Sequence, residues 1–186
     1  MQTINYLDEK TINLFDSIRT ALLNKFFILI SYFGAGDVIL FIAAIVTIFL
    51  IIKRRKSHIF MLWIILAGNI LSAYILKSTI QKSRPLGGIV EETLFSFPSA
   101  HAVLSAAFYG FLIYLIFQSG KNRSFKFFGS AGLLILIILI GFSRLYLGVH
   151  YLSDVMAGYL LGGLWLLAGI KRAKLKNPKY DILKKI

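Results

Sequence analysis

The stretch KRRKSHIFMLWIILAGNILSAYILK (53–77) decides the fold class. Four basic residues lead into it, Lys77 closes it, and nothing from Ile59 to Leu76 is charged. At ~1.5 Å rise per residue, a helix over that block is about as long as the hydrocarbon core of a bilayer is thick. Outward from it, similar blocks run from about Ser99 to Phe117, Phe127 to Leu145 and Tyr151 to Ile170. A shorter one runs from about Val38 to Ile52, and its helix must begin a little before Val38 to cross. Hydrophobic residues make up 58 % of the 186-residue chain and charged residues 16 %, too little polar surface for a soluble domain of this length. The expected fold is an all-α integral membrane bundle of about five transmembrane helices.

The flanking segments read differently. In residues 1–25, Ile4, Leu7, Ile12, Leu14, Phe15, Ile18, Leu22 and Leu23 interleave with charges, which predicts an amphipathic helix in the membrane interface. Asp8, Glu9 and Lys10 stand where the apolar core of a cleavable signal peptide would lie, so none is expected. SYFGAGD (31–37) predicts a turn or helix start, and Pro85, Gly87, Gly88 and Pro98 exclude a continuous helix through 78–98. The expected organisation is an N-terminal interfacial helix (1–25), a transmembrane domain (26–170) and a basic cytoplasmic tail (171–186).

The net charge of +13 does not point to nucleic acid, because the cations sit between apolar blocks rather than on an aromatic-interleaved basic face. Five alternating spans bring Lys53–Lys56, Lys121/Arg123/Lys126 and Lys171/Arg172/Lys174/Lys176 to one side, which the positive-inside rule assigns to the cytoplasm. The chain has no cysteine and so no thiol chemistry.

This topology leaves Lys77, Arg84, His101, Arg144, His150 and Asp154 together at the opposite helix ends. Singly, the cations read as snorkelling anchors, and His150–Asp154 reads equally as a structural or a catalytic pair. Jointly they supply what a phosphoryl group requires. Lysine and two arginines offer charge and forked donors, and a helix starting at Pro98-Ser99 offers unpaired N–H groups and a positive dipole end. His150 and Asp154, four apart, share a helix face. There the carboxylate can hold one ring nitrogen and leave the other as a nucleophile. His101 could protonate a leaving oxygen and later activate water. Ser99 is the natural N-cap. Glu91 and Glu92 read as loop-solvating residues that could shape access. No metal or other cofactor is required, since the cations neutralise developing charge.

KSTIQKSRP (77–85), FPSAH (97–101) and SRLYLGVHYLSD (143–154) resemble the three signature motifs of the type 2 phosphatidic acid phosphatase superfamily. That pattern is a lysine, six residues and Arg-Pro; Pro-Ser-Gly-His; and Ser-Arg, five residues, His, three residues, Asp. All spacings match, over roughly residues 32–170. The resemblance implies a phosphohistidine nucleophile at His150 oriented by Asp154, and a general acid at His101. It also implies a phosphate clamp of Lys77, Arg84 and Arg144, aided by Ser99 and the backbone around Ala100, with Ser143 in support. Ala100 departs from the family glycine and should tighten the pocket without stopping the chemistry if its backbone is helical.

A site at helix ends favours a phosphate at headgroup level. The resemblance implies undecaprenyl pyrophosphate, phosphatidylglycerol phosphate or phosphatidic acid as substrate, and the expected partners are that phospholipid or polyprenyl phosphate and the membrane lipids. Phosphotransfer to a lipid acceptor, or headgroup binding without cleavage, are the competing readings. The expected location is the cytoplasmic membrane with the site on the outer side.

Overall fold

The computed structural model describes residues 2–176. Among them lie seven helices and no strand: α1 (Gln2–Ser17), α2 (Ala21–Tyr32), α3 (Gly36–Ile52), α4 (Lys56–Ile80), α5 (Ala100–Phe117), α6 (Arg123–Tyr146) and α7 (Leu152–Lys176). The helices α4, α5, α6 and α7 are each long and apolar enough to cross a bilayer. The pair α2–α3, bent by 46°, is the fifth candidate. This is the expected all-α membrane bundle. Its outward faces are apolar, as a lipid solvent demands: Leu160 and Leu164 of α7 are 67 % and 64 % exposed.

The bundle centres on α5, which packs against α7, α6, α4 and α3 and buries Val103, Ala107, Phe108 and Phe111 completely. Lipid tails are as apolar as leucine, so burial alone does not drive helices together in a membrane, and close backbone approach does. Gly158 and Gly162 of α7 serve that approach. A methyl on Gly158 would lie 2.8 Å from the Ser99 carbonyl oxygen, and one on Gly162 would strike that of Val103.

The three basic clusters converge at one end. Lys53, Arg55 and Lys121 line one cavity there, and Lys56 and Arg172 line another. Of the basic tail, Lys171 and Arg172 continue α7, while 177–186 lie outside the described residues.

Two features sharpen the sequence reading at the N-terminus. Thr20 caps α2, its hydroxyl accepting the Leu23 N–H at 3.3 Å, so a helix already runs through residue 25. The expected turn in 31–37 is the break between α2 and α3, where a methyl on Gly34 would meet Ile140; glycine lets the break sit against α6. The helix α1 lies against α6 and α7. It buries Asp8 and Phe15 and leaves Ile4, Leu7 and Leu14 exposed. Phe15 meets Phe142 edge-on with ring centres 4.9 Å apart.

Candidate active site

At the end of the bundle away from the basic turns, four elements deliver polar side chains to one place. Lys77 sits in the last turn of α4, which stops at Gln81 because that residue takes a left-handed conformation (φ 51°) and breaks the ladder. The following loop is closed on itself by buried Ser96, whose N–H and hydroxyl both donate to the Lys82 carbonyl at 2.8 and 3.1 Å. Ile89 N–H donates to Leu147 O at 2.9 Å and ties the loop to the α6–α7 turn. Arg84 is thereby fixed, with Nε donating to Leu94 O at 2.7 Å and Nη1 to Val149 O at 2.8 Å.

Arg84 Nη1 also lies 3.2 Å from His150 Nε2. A guanidinium only donates, so Nε2 is the accepting nitrogen and the ring proton sits on Nδ1. That Nδ1 faces Asp154 Oδ2 at 3.5 Å, an electrostatic hold longer than a well-formed hydrogen bond. The same Oδ2 accepts the Tyr151 N–H at 2.9 Å, so Asp154 reaches back to the residue preceding α7 as a capping-box acid does. His150 is 2 % exposed and Asp154 fully buried. Burial, with Arg144 and Arg84 nearby, pushes the His150 imidazole down to about 4, although the Asp154 carboxylate opposes the shift.

Arg144, at the end of α6, is buried and donates to Ser31 Oγ on α2 and to Glu92. Glu92 Oε2 also lies 3.5 Å from Arg84 Nη2, so one partly exposed carboxylate bridges both arginines. An anion already occupies the space between them. Lys77 Nζ donates to Phe95 O and is buried, within electrostatic reach of Arg84, Arg144, Glu92 and Asp154. His101, in the first turn of α5, faces the same charges, with Arg144, His150, Arg84 and Lys77 as its electrostatic neighbours. All six ionisable residues singled out in the sequence are thus brought together.

The remaining three take distinct places. Ser99 precedes α5, but its side chain makes no capping bond; its hydroxyl is buried without a partner, while its N–H donates to Asp154 O at 3.1 Å. Ala100 opens α5 with helical backbone, so alanine replaces the family glycine without strain. Ser143 Oγ donates to Ile140 O at 2.6 Å within its own helix. Sequence reasoning missed the bridging position of Glu92 and the contacts of Lys82, Asp8 and Ser153 with Asp154 and one another. Lys82 lies inside the first motif, but its neighbours are distant in sequence. Among the described residues no three His, Asp or Glu side chains gather as a metal site needs.

Two cavities meet the cluster. One, of about 180 Å³, is lined by Ser31, Glu92, His101 and Arg144 beside the α2–α3 break. The other, of about 290 Å³, runs between α3, α4 and α5, from Lys77 and Ala100 along Ala73, Tyr74, Val103 and Leu104. Its walls are almost wholly apolar.

The fold and site define a helical membrane protein that gathers two histidines, a carboxylate and three cationic side chains at one end of its bundle. Residues 58–177 match the model of the PAP2 superfamily, and the chain belongs to that family. It is similar to phosphatidylglycerophosphatase B of Bacillus subtilis, 29 % identical over 150 residues that span 78 % of this chain and 72 % of that one. It also resembles human dolichyldiphosphatase 1, 34 % identical over 129 residues, 64 % of this chain and 54 % of that protein. Among solved structures, the transmembrane PAP2-type phosphatidylglycerolphosphate phosphatase of B. subtilis superposes with a TM-score of 0.83 at 26 % identity, covering 95 % of this chain and 89 % of that one. LpxE of Aquifex aeolicus gives 0.71 at 27 % identity, covering 89 % and 95 %. The two named relatives and the B. subtilis structure bear the names of phosphatases of lipid-linked phosphates.

Proposed function

We propose that this chain hydrolyses a lipid-linked phosphate or pyrophosphate through a phosphohistidine on His150. The observation that carries the reading is the orientation of the imidazole: Nε2 turned to Arg84, Nδ1 to Asp154. When a phosphate takes the place of Glu92 between Arg84 and Arg144, the Arg84 donors turn to its oxygens and free the Nε2 lone pair. Nε2 then forms a bond to phosphorus as the lipid oxygen leaves, taking a proton from His101. Asp154 stabilises the cationic phosphoimidazole. In the second half, His101 takes a proton from water, the oxygen attacks phosphorus, the N–P bond breaks, and inorganic phosphate departs with His150 neutral again. Lys77 and the unpartnered Ser99 hydroxyl complete the clamp, where fixed donors stabilise developing charge.

The apolar cavity descending from Lys77 favours a substrate whose chain lies in the bilayer while its phosphate sits at headgroup level. The relatives' names make phosphatidylglycerol phosphate and a polyprenyl pyrophosphate the first choices, with phosphatidic acid third. By the positive-inside rule, the basic turns at the opposite end support a site on the extracytoplasmic side of the cytoplasmic membrane, where the exposed apolar face of α1 would rest in the headgroup layer.

The test is phosphate release by the purified protein from these lipids in mixed micelles, with excess chelator present. Release from at least one lipid, undiminished by chelator, is expected. Binding without release would favour a headgroup-binding role, and release only with an acceptor lipid would favour phosphotransfer. The imidazole held down to about 4 adds a pH expectation. The nucleophile stays neutral above that value, so the acid limb of kcat/KM that belongs to His150 falls as pH drops through about 4. A His150 limb near the ordinary value of 6.5 would contradict a buried, cation-flanked nucleophile.

A further inference from the structure

We propose that Lys82, held by Asp8 of α1, is the positioning residue of the His150–Asp154 pair. The inference rests on the hydrolase reading above. Asp154 has two oxygens with separate duties. Oδ2 faces His150 Nδ1 and accepts the Tyr151 N–H, while Oδ1 accepts Lys82 Nζ at 2.9 Å. At 3.5 Å the imidazole contact is too long to orient the carboxylate by itself; the ammonium on the far oxygen and the amide on the near one set its plane. Such supporting contacts keep a reacting group in its productive geometry.

Lys82 is itself constrained. Its carbonyl is held by Ser96, and its Nζ lies 2.8 Å from Ser153 Oγ, 3.2 Å from Asp8 Oδ2 and 4.1 Å from the centre of the Tyr151 ring. Asp8, 5 % exposed, supplies the counter-charge from α1. Its Oδ1 accepts the Ser153 N–H at 2.9 Å and its Oδ2 the Ser153 hydroxyl at 2.6 Å. The Ser153 N–H belongs to the first turn of α7, where amides have no helical partner. A helix 145 residues upstream in sequence therefore caps the helix that bears Asp154.

The charges explain the arrangement. Two buried carboxylates, Asp8 and Asp154, share one ammonium, and removing it would leave them uncompensated in a desolvated place. The segment after α4 thus reaches both ends of the reacting pair, with Arg84 at the nucleophilic nitrogen and Lys82 at the supporting carboxylate. A residue acting through Asp154 affects the chemical step rather than lipid binding, which separates it from the phosphate clamp.

The absence of cysteine makes a sharp test available. In Lys82→Cys the new thiol is unique, and alkylation with 2-bromoethylamine rebuilds a side chain of lysine length ending in an ammonium. Lys82→Cys should lose about tenfold or more in kcat with KM within about twofold. Aminoethylation should restore most of the loss, alkylation with neutral iodoacetamide should not, and wild type should ignore both reagents. Asp8→Asn, which keeps an acceptor for the Ser153 N–H, should lower kcat in the same way and carries the test should Lys82→Cys fail to fold. An unchanged kcat in both variants, a rise in KM alone, or equal rescue by the neutral reagent would overturn the proposal. Wild type releasing no phosphate from any lipid overturns the hydrolase reading and this inference together. An active wild type with unaffected variants overturns this inference alone.

Discussion

His150→Ala is expected to abolish phosphate release, by about 10⁴-fold or more, while the purified variant should still bind vanadate or lipid phosphate weakly through its cations. The magnitude follows from removing the nucleophile of a unit whose members act together, which leaves only binding and electrostatic stabilisation. The sharper readout is covalent. Rapid quenching of wild type with substrate labelled at phosphorus should trap an acid-labile phosphoprotein, and His150→Ala should trap none. His101→Ala lets the label accumulate if the second half-reaction depends on this histidine to activate water. Normal phosphate release by a homogeneous His150→Ala preparation would sink the mechanism outright.

Arg84→Lys is the second large effect, about 10²-fold in kcat/KM, despite keeping the charge. Arg84 donates from three nitrogens at once: Nε to Leu94 O, Nη1 to Val149 O and toward His150 Nε2, Nη2 toward Phe95 O and Glu92. A lysine ammonium is a point donor on a flexible stem and cannot anchor to the loop while presenting a fork to an oxyanion. Loss of a preorganised donor at developing charge is worth about two to three decades. Binding of vanadate, which takes the five-coordinate shape of phosphorus under attack, should weaken in proportion. Activity within twofold of wild type would mean that Arg84 serves only to hold the 81–99 loop.

The parts of this arrangement legible in the sequence are those set by length, charge and short spacing. Uncharged blocks of bilayer length announced the spans, and basic turns marked one common end. Once alternation was fixed, Lys77, Arg84, His101, Arg144, His150 and Asp154 had to share one end. Other features depend on apposition that no local pattern carries. Asp8 reads as one charge on the polar face of an interfacial helix, yet it is buried against Ser153. Glu92 reads as a loop-solvating acid, yet it stands between two arginines. The break after Tyr32 is legible in SYFGAGD (31–37), but the one before Ala21 is not: residues 1–25 read as one interfacial helix, whereas α1 ends at Ser17 and Thr20 caps a second helix that packs beside α6.

The glycine face of α7 has a consequence for how far such chains can diverge. Gly158 meets the backbone of α5 at Ser99, the Ser99 amide reaches the Asp154 carbonyl, and both histidines ride on the main-chain segments so joined. Main-chain atoms are common to every sequence. The spacing between His101 and His150 is therefore insulated from drift on the lipid-facing sides, which need only stay apolar.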